Sequence, residues 1–253
     1  MESSKVDRRG SRVQKMFAEI ARRYDFLNHF LSGGMDWYWR RFTARHLKPL
    51  PNSTAPILDV CTGTADLAIA FWKKYRIPVV GVDFCPPMLE IGRRKVERLG
   101  SGDAKIQLLE GDACQLPFED EAFQIVSVAF GLRNVENTQL GLSEMVRVCQ
   151  KGGKVAILEF SMPTFPPFRW IYTFYFRHIL PKIGQKIAQN HSEAYHYLPQ
   201  SVLEFPQGKE MVARMEAAGL VQVETFSLTL GIVTLYVGTR AETSPTCFPG
   251  ETF

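Results

Sequence analysis

The run Asp59-Val60-Cys61-Thr62-Gly63-Thr64-Ala65-Asp66 closes an apolar segment with a turn of small residues. Such a turn lets the backbone approach a ligand closely. Only Gly63 is a glycine, so the run is not a G-x-G-x-x-G turn, and a pyrophosphate cofactor is disfavoured. Asp83 ends the next apolar run about 20 residues on, where an acid accepts hydrogen bonds from ribose hydroxyls. The third such run ends in Glu110-Gly111-Asp112-Ala113, and an acid there can accept from an adenine amino group. Arg133-Asn134 follows the fourth. The plain reading of the pair is a structural salt bridge with a turn asparagine. Each signal alone is a common turn; three loop signals at three successive strand ends point jointly to a nucleoside-bearing ligand.

Positioning these residues requires alternating strands and helices. Strands are expected at 57–61, 79–82, 106–109, 124–130 and 155–160, the last after a Gly152-Gly153 turn. Helices are expected between them, to about Tyr75, over 86–99 and over 138–149. That alternation predicts a parallel sheet covered on both faces. Ahead of it, Met16, Phe17, Ile20, Tyr24, Leu27 and Leu31 recur at helical spacing, so 13–31 reads as an amphipathic helix ended by Ser32-Gly33-Gly34. A second helix spans 37–47. After the fifth strand come an aromatic insertion (163–207), a helix (208–218) and an antiparallel hairpin of 221–228 and 232–237. Residues 1–12 and 241–253 are polar and expected to be disordered. The span 13–240 is read as one domain, with N-terminal helices over 13–50.

Composition narrows the class. With 45% hydrophobic and 22% charged residues the chain is an ordinary globular one. No apolar run approaches the roughly 18–20 residues needed to cross a bilayer, and no secretory leader is expected. The five cysteines form no CxxC pair, and His191 and His196 lack ligand spacing, so no metal is expected. Between Met1 and Lys48 eleven Lys and Arg stand against five Asp and Glu. Such a basic arm suits an anionic membrane surface or a nucleic acid, or is simply a solvated helix face. No interleaved aromatic RNA-binding motif accompanies it, and nucleic acid is not expected.

Taken in order, the turn at Asp59 to Ala65, Asp83, Asp112, Leu116-Pro117-Phe118 and the terminal hairpin resemble class I methyltransferases over 56–240. A narrower resemblance is carried by Phe17-x-x-Ile20-Ala21-x-x-Tyr24-Asp25-x-x-Asn28-x-x-Leu31-Ser32 with Trp39-Arg40. Phe130-Gly131-Leu132-Arg133-Asn134-Val135, Arg147-Val148 to Gly153, and Leu158-Glu159-Phe160-Ser161 add to it. Tyr195-x-Tyr197-Leu198-Pro199-x-Ser201 and Gly231-Ile232-Val233 complete the set. These blocks are similar to the UbiE/MenG/COQ5 quinone methyltransferases. This chain departs from that pattern in having Asp36 where the family usually has His, and Leu27 where Met is frequent. Its first turn, with Cys61 and Ala65, looks more like menaquinone-pathway than ubiquinone-pathway members.

The resemblance implies a Rossmann-like, doubly wound α/β fold: a mostly parallel seven-stranded sheet with one antiparallel strand. It implies S-adenosyl-L-methionine as cofactor, with contacts carried over to Thr64, Asp83, Asp112 and Ala113; Asp59 and Gly63 join them through the turn. The implied reaction is C-methylation of a prenylated quinol, most readily demethylmenaquinol; a ubiquinone-pathway benzoquinol is the alternative. Arg133 would then stabilise a phenolate, Tyr24 and Asn134 would hold the quinol oxygens, and Asp36, Asp66 or His196 would take the proton. Tyr24 could equally be a core aromatic. The aromatics from Phe165 to Phe176 would either pack on the sheet edge or line a channel for the isoprenoid tail. The expected setting is cytoplasmic, with peripheral contact at the inner face of the membrane, and a homodimer stays open. Two rivals remain: a class I methyltransferase acting on another lipid or on RNA, and a non-catalytic cofactor-binding subunit.

Overall fold

The structure, a computed structural model, describes residues 10–100, 105–174 and 192–242. Two helices, α1 (Gly10–Leu31) and α2 (Met35–His46), precede the alternating part. There follow β1 (Ile57–Val60), α3 (Asp66–Tyr75), β2 (Val79–Asp83), α4 (Pro86–Glu97), β3 (Ile106–Glu110), β4 (Phe123–Ala129), α5 (Thr138–Val148) and β5 (Cys149–Phe160). The chain continues through α6 (Pro166–Phe174), α7 (Ser192–Glu204), α8 (Lys209–Ala217), β6 (Leu220–Leu228) and β7 (Val233–Arg240). The seven strands lie in the order β3-β2-β1-β4-β5-β7-β6. β7 runs antiparallel to both its neighbours, whereas β1, β2, β3, β4 and β5 pair in parallel. This is the architecture expected from the sequence, with the reversed strand inside the terminal hairpin.

Sheet position follows from sequence. β1 is ILDV, buried throughout, and β4 is FQIVSVA, buried from Phe123 to Val128. Strands apolar on both faces can sit only in the middle of a covered sheet. Side-chain alternation then sorts them: Ile57 and Ile125 face a cluster with Trp39, Leu67 and Phe71, while Leu58 and Val126 face one with Leu142, Met145 and Met211. The order reverses between β1 and β4, and ligands bind beyond the strands' carboxyl ends at such a switch point.

Backbone strain collects there. Cys61, Ala65 and Phe130 have φ of 52°, 67° and 58°. Left-handed backbone costs a non-glycine residue about 1 kcal/mol or more, and such outliers gather at functional sites. Between Cys61 and Phe130 the two strand ends nearly touch: a Cβ on Gly131 would lie 2.4 Å from Cys61 Cβ, so only glycine closes this corner.

Two elements differ from expectation. α1 starts at Gly10, ahead of the first periodic apolar residue, Val13, and Gly10 N donates to Glu136 Oε2 at 3.4 Å. β5 starts at Cys149, before the glycine pair. Phe123 pairs with Cys149 and Ile125 with Lys154, so Gly152-Gly153 form a bulge within the strand, with Gly152 at φ 72°. Of the aromatic insertion, α6 and α7 are described; Tyr175, Phe176 and His191 lie outside the described residues.

Candidate active site

Two cavities adjoin at the switch point. The first, about 140 Å³, is lined by Cys61 and Gly63 after β1, Asp83 and Phe84 at β2, Gly111, Asp112 and Ala113 after β3, and Phe130 and Asn134 after β4. Helix α1 roofs it with Phe17 and Tyr24. Asp83 is fixed by two backbone donors, Gly63 N to Oδ2 at 2.8 Å and Cys85 N to Oδ1 at 2.9 Å. An ionised carboxylate offers about four lone-pair sites, so roughly two remain for a ligand's hydroxyls. Burial pushes the Asp83 carboxyl up to about 6. Asp112 accepts from Cys114 N through Oδ1 at 2.8 Å, leaving Oδ2 as its remaining oxygen. Asn134 Oδ1 is buried without a hydrogen-bond partner. Unmet acceptors between strand ends suit a nucleoside-bearing cofactor, and these residues fit one.

The second cavity is larger, about 350 Å³, and mostly apolar, with Phe17, Ile20, Leu27, Leu31, Trp39, Phe160, Tyr172 and Ile232 among its walls. Its polar lining is Tyr24, Asn28, Ser32, Asp36, Arg40, Arg133, Asn134 and Thr229, with Tyr197. Phe17, Tyr24, Phe130 and Asn134 line both cavities, so the passage between them runs past those four side chains. Burial raises the Tyr24 phenol above its ordinary value, while the Arg40 and Arg133 charges and a bond with Asn28 pull the other way. Tyr24 at neutral pH is therefore a neutral hydroxyl beside two cations.

Arg133 lines the apolar cavity and not the other one. Its Nη1 donates to Glu159 Oε2 at 2.7 Å and to Phe130 O at 2.6 Å, and its backbone N donates to Glu159 Oε1 at 3.3 Å. Both side chains are buried, and Arg133 Nε has no partner. The salt-bridge reading of Arg133 is thus present in the structure, yet one edge of the guanidinium is left without a hydrogen bond. A planar fork can hold a counter-ion with one nitrogen and present charge with another.

Of the residues expected at the cofactor, Gly63, Asp83, Asp112 and Ala113 come together, joined by Tyr24 and Asn134. Asp59 and Thr64 do not line that cavity; they border a recess of about 20 Å³ behind it. Asp59 accepts from Thr62 Oγ1 at 2.7 Å and from Ser127 Oγ at 3.3 Å, which pins the turn to β4. Thr64 Oγ1 donates to Asp25 Oδ1 at 2.6 Å and accepts from Lys95 Nζ at 2.9 Å. Lys95 also pairs with Asp25 at 2.7 Å and Asp66 at 2.6 Å, so one ammonium ties the roof helix to α3 and α4. Among the expected proton acceptors, Asp66 is spent on this clasp, Asp36 lines the apolar cavity, and the side chain of His196 lies outside the described residues. Sequence reasoning assigned no role to Arg40, Glu159 or Lys95. Glu159 did carry a signal, since a carboxylate within an apolar strand needs a buried cation. No group of three or more metal-ligating side chains occurs among the described residues.

Asp59 yields a pH prediction. Burial raises its carboxyl from 3.8 to about 7, against the hydrogen bonds from Thr62 and Ser127. A raised carboxyl stabilises the fold at low pH, and that contribution is lost as pH rises through about 7. Asp59→Asn removes the ionisation and keeps the shape. It should be more stable than the parent at pH 8, by on the order of 4 kcal/mol, with the gap narrowing towards pH 5. Thermal melts at both values check this; a variant that melts lower at pH 8 would show that the ionised form is required.

Residues 4–240 match the model of the ubiE/COQ5 methyltransferase family. The chain is 44% identical to the ubiquinone/menaquinone biosynthesis C-methyltransferase UbiE of Geobacter sp. (strain M21), covering 93% of this chain and 99% of the relative. It is 42% identical to the demethylmenaquinone methyltransferase of Deinococcus radiodurans, covering 92% and 94%. Among solved structures, a SAM-dependent methyltransferase from Thermotoga maritima superposes with TM-score 0.61 at 17% identity, covering 90% and 99%. The [4+2]-cyclase SpnF does so with TM-score 0.63 at 13% identity, covering 91% and 96%. That likeness shows the fold alone, and a cyclase on the same scaffold illustrates why chemistry must be argued from the site.

Proposed function

This chain belongs to the ubiE/COQ5 methyltransferase family, and from that premise we propose that it C-methylates a prenylated quinol, using S-adenosyl-L-methionine. The observation that carries this reading is the pair of adjoining cavities. One offers the ribose-type acid Asp83 and the acid Asp112; the other is apolar, edged by two guanidinium groups; Tyr24, Phe130 and Asn134 stand between them. A polar nucleoside and a greasy aromatic acceptor are the two ligands such a pair suits.

When bound, the cofactor supplies an activated sulfonium methyl group, so the protein's main work is alignment. Asp83 would hold the ribose and Asp112 the adenine. Asn134, with a buried acceptor free of protein partners, and Tyr24, a neutral hydroxyl, would fix the quinol oxygens at the passage. Arg133 would offset negative charge growing on the quinol oxygen; a guanidinium stays protonated and takes no proton itself. The apolar walls exclude water, which strengthens that charge contact. Asp59 and Thr64 would serve the cofactor indirectly, by holding the turn and the roof in place.

For the acceptor we favour demethylmenaquinol over a methoxylated benzoquinol, on Cys61 and Ala65 in the first turn. Incubating the chain with methyl-labelled cofactor and each quinol in turn tests both levels. Label on the naphthoquinol is the expected result; label on the benzoquinol alone would move the assignment to the other pathway, and label on neither would reject the substrate class.

An isoprenoid tail places the acceptor in the bilayer. No helix among the described residues is long and apolar enough to cross a membrane, so the reading requires a surface encounter, expected at the cytoplasmic face. Phe30 on α1, Trp37 on α2 and Phe165, Trp170 and Phe174 at α6 are exposed, on or beside elements that also line the apolar cavity. Arg41 lies over the Trp37 ring at 4.9 Å. Exposed aromatics among basic residues suit an anionic lipid interface. Trp170 is 76% exposed and does not line the cavity; Tyr172, from the same helix, does. Trp170→Ala should therefore weaken binding to anionic vesicles and lower turnover on long-tailed quinol a few-fold. Turnover on a tail-less analogue should be spared. Equal losses on both substrates would reject a role for Trp170 in meeting the membrane.

A further inference from the structure

Putting a methyl group on a ring carbon displaces a hydrogen. The sulfonium's C–S bonding pair stays on sulfur, the new C–C bond takes a pair from the ring, and the ring C–H pair returns to the ring as its hydrogen leaves as a proton. One proton per turnover must leave a cavity built mainly of apolar side chains. Its described titratable lining is Tyr24, Asp36, Arg40, Arg133, Tyr172 and Tyr197. Guanidinium and phenol side chains do not serve as proton acceptors at neutral pH. Asp36 is the one carboxylate among the described lining residues.

We propose that Asp36 takes this proton and that His29, outside the cavity, passes it to solvent. The inference rests on the quinol-methylation reading above. The corner between α1 and α2 assembles the pair. Gly34, at φ 80°, donates its backbone N–H to His29 O at 2.8 Å and turns the chain so that Asp36 returns beside His29. Asp36 Oδ1 lies 3.1 Å from His29 Nδ1 and accepts from Ser32 Oγ at 3.1 Å; Oδ2 accepts from Arg40 Nη1 at 3.0 Å. These groups, two from α1 and its turn and one from α2, are the polar and charged partners facing the carboxylate. The exposures run from inside to outside: the side chains of Arg40 and Asp36 are 9% and 12% exposed and that of His29 is 65%. His29 does not line the cavity. Asp36 thus touches the cavity on one side and a solvent-facing imidazole on the other. Imidazole is the side chain suited to exchanging protons with water near neutral pH. The proton goes from the ring carbon to Asp36, then to His29 Nδ1, while Nε2 releases one to water.

The test uses the full chain with S-adenosylmethionine and demethylmenaquinol. His29→Ala should lower kcat roughly tenfold or more, with cofactor affinity by calorimetry unchanged. Imidazole added to the buffer should restore much of the rate, because the vacated position is open to solvent. Asp36→Asn should lower kcat and gain nothing from imidazole; if it fails to fold beside Arg40, His29→Ala decides alone. A His29→Ala variant as fast as the parent, or one slowed but deaf to imidazole, would overturn the relay, the latter leaving His29 as a brace for the corner. An inactive parent protein would instead overturn the substrate reading, and the relay with it.

Discussion

Arg133→Lys should lower kcat roughly a hundredfold while leaving cofactor affinity within about threefold. The expectation rests on how the guanidinium is used. Nη1 is spent on Glu159 Oε2 and Phe130 O, whereas Nε, buried, has no partner. Lysine keeps a positive charge opposite Glu159, so the fold is spared the roughly 3–5 kcal/mol that an unpaired buried carboxylate would cost. What lysine lacks is the second arm. It cannot hold Glu159, restrain the Phe130 carbonyl and still present charge to a quinol oxygen. Because Arg133 lines the acceptor cavity and not the cofactor cavity, rate and cofactor binding should separate. Calorimetry with the cofactor and turnover with the quinol measure the two. Parallel collapse of both would mean that the arginine only shapes the corner at Phe130. Arg133→Met makes a poor substitute, since it strands Glu159 and confounds rate with folding.

That corner also shows what a sequence can and cannot convey. The apolar runs at 57–61 and 124–130 announce strands, and an acid at the end of the second strand announces a ligand, because both are local patterns. The burial of Asp59 is legible only with the sheet in hand. Side chains alternate along β1, so Asp59 points to the face bearing Ile57, under α3, and meets Ser127 across the register. Thr64 lies in the same turn, yet its partners Asp25 and Lys95 are 39 and 31 residues away. No spacing rule reaches those distances. The glycine pair at Gly152-Gly153 reads as a turn because turns and bulges draw on the same backbone freedom; the pairing of Cys149 with Phe123 decides between them. Arg40 hid for a different reason. On an amphipathic helix a basic residue looks solvated, and only the packing of α2 on Phe130, 5.4 Å from the guanidinium, shows it to be inside.

Asp83→Ala should weaken cofactor binding by about 1–3 kcal/mol, a loss of roughly five- to 150-fold, because hydrogen bonds to a charged acceptor disappear. The parent's affinity should depend on pH in a definite direction. Burial raises the Asp83 carboxyl from 3.8 to about 6, overriding the backbone donors Gly63 and Cys85. Ribose hydroxyls are best held by the ionised form, so affinity should climb between pH 5 and 7 and then level off. Stability of the empty protein runs the other way. A raised carboxyl contributes fully below its unfolded value and loses that contribution as pH passes about 6. The cofactor, by hydrogen-bonding to the ionised carboxylate, should then stabilise the protein more at pH 7 than at pH 5. In Asp83→Ala the affinity should be low and nearly flat over the same range. Asp59 also titrates near neutrality, but it lies outside the cofactor cavity, so a slope that survives in Asp83→Ala would trace to it instead. Titration calorimetry at pH 5, 6, 7 and 8 on parent and variant gives the comparison. An unchanged affinity in the variant would remove Asp83 from the cofactor site, and a parent affinity that falls with rising pH would mean that the protonated carboxyl is the binding form.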